Sequence, residues 1–265
     1  MNRPIDSIEN IPPLVTAAGR MALEGQRKMD FSRRKYKRDG SVLTETDLAV
    51  EHYLLSHLGA LYPQANLLAE ETAHLFDQSR PFTLAIDPID GSDVFSQGMA
   101  GWCVSVGLLD QGLQPIAGVV YAPRLDLLIF ADVGRRARLN GDDIDAAGDP
   151  NTPLDKANIM VSSRVHREID LSAFPGKIRN VGSGALHFCF PLIHPGVIGA
   201  VQSPVHIWDM SAAHAINRSA GFSLQYLSGE SIDYSNVTDG RPVADFILSG
   251  SPERIDQLRK LITKI

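Results

Sequence analysis

Two carboxylates three residues apart, Asp87 and Asp90, have the clearest potential for chemistry in this chain. They follow residues 82–86 (Phe-Thr-Leu-Ala-Ile), an apolar run typical of a buried strand. Pro88 is expected to halt strand pairing because it cannot donate a ladder hydrogen bond, and Gly91 permits a tight turn. The turn would aim both carboxylates at one point. Because Mg²⁺ prefers such clusters of oxygen ligands, the segment predicts a metal site.

Two further acidic segments favour a metal site over an ordinary surface turn. Asp, Pro and Gly are common turn formers, so residues 87–91 alone are compatible with either interpretation. Residues 67–71 are another short apolar run that ends in carboxylates, the first of them Glu70, and Asp209 stands where a helical pattern begins. Three apolar elements ending in acids predict one shared site for divalent cations, with the Ile89 carbonyl as a third oxygen of the turn.

Helix capping is the alternative explanation for two of the candidate acids. Asp209 precedes the helix-compatible residues Ser-Ala-Ala, and a carboxylate in the first turn of a helix is stabilised by the helix dipole. Asp47 lies at the start of a helical pattern that runs from Leu48 to Leu61, and the same explanation applies to it.

Composition and charge narrow the class of protein. The 265 residues are 44% hydrophobic and carry 25 basic and 31 acidic side chains, a formal net charge of −6. This hydrophobic content is enough for a sizeable core. The lack of a long basic block argues against binding to a nucleic acid polymer. Cys103 and Cys189 stand among apolar neighbours, so a reducing compartment is expected rather than a disulfide framework. The amino terminus has no apolar signal core and prolines interrupt residues 188–201, so a cytoplasmic protein without a membrane span is expected.

Local patterns predict the elements that would position these acids. Helical spacing runs from Pro13 to about Met29, and strand-like runs after the acidic turn predict an antiparallel sheet beside helices. Alternating strands and helices in the second half predict an α/β layer. The predicted strands cover residues 103–109, 116–121, 127–131, 158–162 and 197–201, with a hairpin turn at Asn140-Gly141. The later predicted helices run through His187, from Asp209 to Ala220, and from Ser251-Pro252 to the carboxyl terminus.

Three motifs carry a resemblance to a known family. Glu70-Glu71, Asp87-Pro88-Ile89-Asp90-Gly91-Ser92 and Trp208-Asp209-Met210-Ser211-Ala212-Ala213 resemble the signature motifs of the inositol monophosphatase-like, metal-dependent phosphatases. The likeness runs from about Lys35 to the carboxyl terminus. It implies a mixed α+β and α/β fold with layers α-β-α-β-α, divided into an α+β metal-binding half (residues 1–150) and an α/β half (residues 151–265). Residues 146–153, rich in Gly, Pro, Asn and Asp, are the expected connection.

The resemblance also implies the ligands and the reaction. Two Mg²⁺ ions about 3.5–4 Å apart would support hydrolysis of a small phosphomonoester by an activated water. The implied metal ligands are Glu70, Asp87, Ile89, Asp90 and Asp209. The implied catalytic residues are Glu70, Ser92 and Asp47, where Ser92 replaces the usual threonine and Asp47 helps to hold a weaker metal. The implied substrate-binding residues are Gly91, Ser92, Gly182, Ser183, Gly184, Gln202 and Asp209.

The substrate and several supporting roles stay open. Inositol-specific members carry an acid where this chain has Gln202, so inositol phosphate, histidinol phosphate, fructose bisphosphate and 3′-phosphoadenosine 5′-phosphate are all candidate substrates. The basic residues 33–38 are either a solvated connector or a phosphate-binding patch, and Lys35 or Lys37 corresponds to a family lysine. The histidines are expected not to be essential. A non-catalytic metal- or phosphate-binding regulator is the alternative function, and a homodimer is an assembly found among relatives.

Overall fold

Six α-helices occur in the described part of the chain. The computed structural model describes residues 8–30, 35–36 (backbone only), 42–72, 75–132, 134–145 and 151–265. The helices are α1 (Ile11–Lys28), α2 (Glu45–Leu61), α3 (Ser92–Ser96), α4 (Gly184–Ile193), α5 (Ile207–Ser219) and α6 (Pro252–Leu261). The basic residues 33–38 lie outside the described side chains, so the roles predicted for Lys35 and Lys37, and most of the predicted 146–153 connection, stay predictions.

The starts of α1 and α6 match the signals in the sequence, whereas the end of α6 does not. A proline lies in the first turn of α1. Arg27 and Lys28 lie in its last turn, where the helix dipole stabilises positive charge. Ser251 caps α6 by accepting a hydrogen bond from the Arg254 N–H (3.4 Å). The prediction that α6 continues to the carboxyl terminus is wrong, because the helix ends at Leu261 and residues 263–264 pair with residues 169–170.

The first large sheet has seven strands in the order β3-β4-β5-β6-β7-β8-β9. Its strands are β3 (Ala65–Ala69), β4 (Phe82–Asp90), β5 (Cys103–Asp110), β6 (Pro115–Ala122), β7 (Leu127–Asp132), β8 (Arg138–Leu139) and β9 (Asp142–Asp143), preceded in the chain by β1 (Lys35–Tyr36) and β2 (Val42–Leu43). The strands after the acidic turn pair antiparallel, which confirms the prediction for them, whereas β3, which precedes the turn, lies parallel to β4. Asn140-Gly141 forms the predicted hairpin turn, and both residues have the positive φ that such turns require.

Pro88 does not end strand β4, contrary to the prediction. The strand continues to Asp90, and the pairing with β5 shifts between Asp87, which faces Ser105, and Asp90, which faces Cys103. Three steps on β4 thus match two steps on β5, which is a one-residue β-bulge. A bulge is one of the few places where a sheet tolerates proline. The acidic turn is therefore a distortion within a paired strand.

The second large sheet has five strands in the order β12-β10-β13-β15-β14. Its strands are β10 (Asn158–Val161), β12 (Lys177–Arg179), β13 (Val197–Gln202), β14 (Ser223–Tyr226) and β15 (Ile247–Gly250); the short strands β11 (Ile169–Asp170) and β16 (Thr263–Lys264) pair with each other. Strands β12, β10 and β13 are parallel, and β15 and β14 are antiparallel to their neighbours. This is the predicted α/β part, with a mixed sheet.

Alternating side chains show how the layers stack. On β4, Leu84 and Ile86 pack in one hydrophobic cluster with residues of α1 and α2, whereas Ala85 packs in another cluster with α4 and α5. The five-stranded sheet also contributes to this second cluster, and its other face packs against α6. The order of layers is therefore α1/α2, seven-stranded sheet, α4/α5, five-stranded sheet, α6, which confirms the predicted α-β-α-β-α arrangement. Among the described residues, no helix combines the length and hydrophobicity needed to cross a lipid bilayer.

Candidate active site

Three carboxylates from two elements meet at one point. Asp87 and Asp90 come from the bulge at the end of β4, and Asp209 comes from the first turn of α5. One oxygen of each lies within 4.8 Å of the others. The sequence prediction that acids far apart along the chain converge is thus met for these three. Their mutual separation is short enough for a single divalent ion to contact all of them.

Glu70 lies beside this three-residue cluster, without being one of its members, because β3 and β4 are parallel. Residue 69 pairs with Ile86, and the Glu70 N–H donates to the Ile86 carbonyl (3.2 Å). The carboxyl ends of the two strands therefore deliver Glu70 and Asp87 at the same edge of the sheet. Their charges interact directly, since the charge of Glu70 contributes to the pKa of Asp87.

Asp87 is held in surroundings that disfavour its charge. Its side chain is 1% exposed, and the Ile89 N–H is its backbone donor (2.9 Å). Burial, followed by the charges of Glu70, Asp90 and Asp209, raises the pKa of Asp87 well above its usual range. In the described part of the chain no Lys or Arg forms a salt bridge with Asp87 or Asp90. A bound cation would remove this electrostatic cost.

Asp90 lies at the N-terminus of α4, in the other half of the chain. Its carboxylate accepts hydrogen bonds from the Gly184 N–H (3.2 Å), the Ala185 N–H (2.7 Å) and the Ser183 hydroxyl. Burial and the charge of Asp209 raise the pKa of Asp90 to about 6, while these three donors act in the opposite direction. Ser183 also caps α4, since its hydroxyl accepts from the Leu186 N–H (3.0 Å). The buried Ser183 therefore lies behind Asp90 and supports it.

Asp209 both caps α5 and faces the other acids, so the two interpretations of this residue are compatible. Its carboxylate accepts from the His206 N–H (2.7 Å) and lies 3.4 Å from His206 Nδ1. Helix α5 reaches this position because glycines let it approach the sheet closely. A Cβ on Gly107 would lie 2.3 Å from Ser211 Oγ, and one on Gly118 would lie 2.1 Å from the Ala212 carbonyl oxygen.

Asp47 and Ser92 are neighbours at the edge of the acidic turn. Asp47 completes a capping box with Thr44 at the start of α2, as the alternative interpretation predicted. The Ser92 hydroxyl lies 3.3 Å from Asp47 Oδ1 and 2.9 Å from the Ile89 carbonyl oxygen. Gly91, which precedes Ser92, has φ +94°, a conformation that favours glycine. The sequence-predicted residues of this turn are thus brought together.

Glu51 is a supporting residue that the sequence analysis missed. It is buried (2% exposed) in α2, and its carboxylate accepts from the Glu71 N–H (2.8 Å) and the Thr72 hydroxyl. These contacts anchor the segment directly after Glu70. A mid-helix Glu looks like a surface residue in the sequence; the one available signal was its place among Val50 and Leu54 on the buried face.

Gln202 and His187 form a buried pair beside the glycine-rich segment 182–184. Gln202 is 2% exposed, and its side-chain amide contacts His187 Nδ1. Gly182 has φ +118° and packs against Val94, and Gly184 is half-buried beside Asp90. The predicted substrate-binding residues therefore cluster on the Asp90 side of the acids.

The remaining single-residue predictions concern buried aromatic, histidine and cysteine side chains. Trp208 is 9% exposed, as expected for a core aromatic, and stacks on His206 with ring centroids 5.0 Å apart. His214 contacts the Tyr234 hydroxyl (2.8 Å), and burial lowers the pKa of His214 to about 4. Cys103 and Cys189 are buried free thiols, and burial raises the pKa of both.

A cavity of about 320 Å³ opens on the Glu70 side of the acids. This volume suits a small ligand. Its lining consists of Leu68, Ala69, Glu70, Thr72, Trp208, Thr238, Asp239 and Gly240. No described residue of this lining is basic, so a phosphate placed here depends on cations at the acids.

The donor set fits divalent magnesium. Asp87 and Asp90 are buried carboxylates next to a peptide carbonyl, they have no Lys or Arg partner among the described residues, and their oxygens are hard ligands. Sulfur and imidazole ligands, which favour zinc or copper, are absent from the three-residue cluster found in the described chain. The residues are therefore suited to a hard divalent cation, the class to which Mg²⁺ belongs, rather than to a softer metal.

Comparisons with known proteins identify the family. The model of the inositol monophosphatase family matches residues 11–250. The chain belongs to this family. Its members are phosphatases, so the predicted enzyme class, a metal-dependent hydrolase of phosphoric monoesters, is confirmed. The match begins at residue 11 and so extends the resemblance toward the amino terminus.

The relatives of this chain include proteins named as bisphosphate nucleotidases and proteins named as inositol monophosphatases. The 3′(2′),5′-bisphosphate nucleotidase CysQ of Buchnera aphidicola is 28% identical over 237 residues, which cover 86% of this chain and 87% of that protein. Inositol monophosphatase 1 of Solanum lycopersicum is 29% identical over 213 residues, covering 76% and 78%. The solved structure of the Thermotoga maritima IMPase has a TM-score of 0.82 at 22% identity and covers 97% of this chain and 96% of that one, which confirms the fold.

Proposed function

We propose that this family member hydrolyses a small phosphomonoester by direct attack of water, with Mg²⁺ as the cofactor. The observation that carries the proposal is the convergence of Asp87, Asp90 and Asp209 within 4.8 Å, next in the chain to residues such as Trp208 that line a cavity with Glu70. Such a cluster has too much buried negative charge to be an ordinary packing feature. The reaction class follows from the family, and the oxygen-only donor set supports Mg²⁺ as the proposed cofactor.

The metal ligands proposed are Glu70, Asp87, the Ile89 carbonyl, Asp90 and Asp209. When bound there, Mg²⁺ supplies charge neutralisation on the phosphate and lowers the pKa of a bound water. The chain contributes by holding its oxygens in place: Asp90 through the α4 amides and Asp87 through the Ile89 N–H. The Ile89 oxygen accepts from Ser92 and keeps a second lone pair for a metal.

Ser92 and Asp47 are the groups proposed to orient the attacking water. Ser92 Oγ has one proton, which it donates to the Ile89 carbonyl (2.9 Å), and its lone pairs are then available to accept from water. Asp47, whose Oδ1 lies 3.3 Å from Ser92 Oγ, is placed to take the proton that the water loses. The water oxygen forms the new P–O bond as the bond to the alcohol breaks, and the departing oxygen takes up a proton from solvent water. Because water attacks phosphorus directly, no phosphoenzyme forms.

Substrate contacts are proposed for two regions. The backbone N–H groups of Gly91 and Ser92 suit a phosphate oxygen, because Gly91 leaves room for close approach. Gly182, Gly184 and Gln202, supported by Ser183, are proposed to contact the alcohol, and Asp209 is proposed as a further substrate contact. The names of the relatives put 3′(2′),5′-bisphosphate nucleotides and inositol monophosphates first among the substrates to test.

A substrate panel tests the proposal. Phosphate release is measured from inositol monophosphate, a 3′,5′-bisphosphate nucleotide, histidinol phosphate and fructose bisphosphate, with Mg²⁺ and with EDTA. We expect Mg²⁺-dependent release from at least one of them. A folded preparation that binds Mg²⁺ but releases phosphate from none would favour the regulator. The free buried thiols support a reducing, cytoplasmic setting as a further proposal, and the homodimer stays a prediction.

A further inference from the structure

His187 has two hydrogen-bond partners that together fix its tautomer. The Val181 N–H donates to His187 Nε2 (3.0 Å), so Nε2 is the acceptor nitrogen. Burial lowers the pKa of His187 to about 4, so the ring is neutral near pH 7. A neutral imidazole carries one proton, which must therefore be on Nδ1.

The Nδ1–H of His187 requires an acceptor, and the atom of the Gln202 amide that is placed against it is Nε2, with Oε1 on the other arm. An N–H facing the amide NH₂ would place two donors against each other in a buried site, which is costly. The amide oxygen and nitrogen exchange places by a half-turn of the terminal torsion, and hydrogen-bond partners decide between the two orientations. The amide oxygen must therefore face His187, and the NH₂ must face the other way.

The other arm of the Gln202 amide points to an open space over Gly184. A Cβ built on Gly184 would lie 3.9 Å from this arm and 3.9 Å from Asp90 Oδ1, with no other contact within 4 Å among the described residues outside its chain neighbours and the backbone of α4. Gly184 itself is half-buried. A substrate atom placed over Gly184 would therefore reach both the Gln202 amide and the edge of the acidic cluster.

We propose that His187 is a positioning residue that locks Gln202 with its NH₂ group toward the space over Gly184, so that the pocket recognises an oxygen of the substrate that accepts a hydrogen bond. This inference rests on the proposed function, because it concerns the alcohol side of the same site. A phosphate oxygen and a hydroxyl oxygen share this acceptor chemistry. His187 acts through Gln202 and does not itself contact substrate.

Two substitutions of His187 separate its two hydrogen bonds. His187→Asn places an amide N–H near the position of Nδ1 and keeps a donor for Gln202, whereas His187→Gln places an amide oxygen near the position of Nε2 and keeps an acceptor for Val181. We expect KM to stay within about twofold of the original in His187→Asn and to rise about tenfold in His187→Gln, the scale of one lost hydrogen bond. We expect kcat to change little in both. Equal KM values for the two variants, each folded by circular dichroism, would overturn the proposal.

Gln202→Glu distinguishes the two sources of the acceptor oxygen. One carboxylate oxygen still accepts from His187, and the other puts a negative charge over Gly184. If the recognised oxygen belongs to a second phosphate, kcat/KM for the bisphosphate nucleotide falls about a hundredfold or more through charge repulsion. If it belongs to a hydroxyl, kcat/KM for inositol monophosphate falls far less in Gln202→Glu, because a hydroxyl can donate to the carboxylate, but it falls about tenfold in Gln202→Leu, which cannot hydrogen-bond at all. A Gln202→Leu variant with unchanged kcat/KM for every active substrate would overturn the contact.

Nuclear magnetic resonance keeps the test independent of turnover. A long-range ¹H–¹⁵N spectrum of the full chain reports the tautomer of His187 in the absence of substrate. The proposal requires a neutral ring protonated at Nδ1; a ring protonated at Nε2, or at both nitrogens at pH 7, would overturn it. A chain that shows the expected tautomer but no phosphate release from any substrate would instead contradict the proposed phosphatase function.

Discussion

Asp87 and Asp90 lie in one bulge, and both are removed from water, yet their surroundings differ. Asp90 accepts two backbone N–H groups and a hydroxyl at the start of α4, which supply positive partial charge. Asp87 has one backbone donor and faces carboxylates, including Glu70. Burial and the charge of Asp209 raise the pKa of Asp90 to about 6, and its three donors act against this rise. Burial and the charges of the neighbouring carboxylates raise the pKa of Asp87 well above its usual range.

The difference assigns distinct tasks to the two acids. Asp90 links the two sheets, since its donors belong to the half of the chain that carries the five-stranded sheet. Asp87 has no comparable support, so its negative charge must be neutralised by a proton or balanced by a cation from outside. We infer that metal binding matters most for Asp87, and that Asp90 is the acid whose position the protein determines by itself.

The largest expected effect is on turnover, and it should be shared by both acids. Asp87→Asn and Asp90→Asn each remove a proposed metal ligand, so Mg²⁺-dependent phosphate release should fall about a thousandfold or more. Asp93→Asn is a matched control, because Asp93 is exposed and lies three residues after Asp90. Release is measured at saturating substrate over a range of Mg²⁺ concentrations. Full activity in either of the first two variants would reject the proposed site.

The next effect should separate the two acids. In EDTA at pH 8, Asp87→Asn should raise the free energy of unfolding by about 1–4 kcal/mol, because a buried charge without a cation is removed. Asp90→Asn should gain less, since it also disrupts the hydrogen bonds with α4. Urea unfolding followed by circular dichroism measures both. Added Mg²⁺ should stabilise the original chain far more than either variant, and an equal gain for the two variants would contradict the comparison.

The pH dependence of this gain has a defined sign. A carboxyl whose folded pKa is raised contributes stability that is present below the unfolded value, 3.8, and is lost as the pH rises through the folded value. The advantage of Asp87→Asn in EDTA should therefore grow from pH 4 to pH 8. Burial lowers the pKa values of His187 and His214 to about 4, so both residues decrease the stability of the protein as the pH falls below about 6.5. This decrease is the same in the original chain and in Asp87→Asn, so it cancels when their free energies of unfolding are subtracted.

Local patterns were sufficient for the parts of the fold that local physics determines. The apolar run before Asp87, the Asn140-Gly141 turn and the Ser251 cap each depend on residues within a few positions of one another, and each is present. The three acidic motifs identified the family for the same reason, since each motif is short. The convergence of Asp87 and Asp209 was expected from the resemblance and is present.

Contacts between distant residues could not be predicted in this way. Pro88 signals a break in pairing, but whether the strand stops or bulges depends on β5. Nothing near Asp90 in the sequence announces that the amides of Gly184 and Ala185, more than ninety residues away, would hold it. The pairing of His187 with Gln202 is hidden in the same way, because each residue alone looks like a polar exception in an apolar segment.

A smaller effect is expected from moving α5 away from the seven-stranded sheet, because this helix brings Asp209 to Asp87 and Asp90. Gly118→Ala would place a Cβ 2.1 Å from the Ala212 carbonyl oxygen, so the backbone of α5 must shift. We expect a loss of about 1–3 kcal/mol in stability, or about 2–4 °C in Tm for each kcal/mol, together with weaker Mg²⁺ binding. Gly59→Ala is the control, since its Cβ would meet the flexible Leu67 side chain at 3.4 Å in a helix that favours alanine. Unchanged Mg²⁺ binding in Gly118→Ala would show that α5 does not set the metal geometry.

The smallest expected effect concerns Glu51, which supports the Asp87 side as α4 supports Asp90. Its carboxylate accepts from the Glu71 N–H and the Thr72 hydroxyl, and this fixes the segment after Glu70. Glu51→Gln keeps the shape but turns an NH₂ toward one of the two donors, so Glu70 should be held less firmly. The Mg²⁺ concentration for half-maximal activity should rise about tenfold. This is the lower end of the loss in metal affinity caused by removing a residue that hydrogen-bonds a metal ligand or its support. Glu45→Gln, an exposed change on the same helix, should leave that concentration unchanged. If Glu51→Gln behaves like this control, the Asp87 side does not need the support of Glu51, and the cations alone must order it.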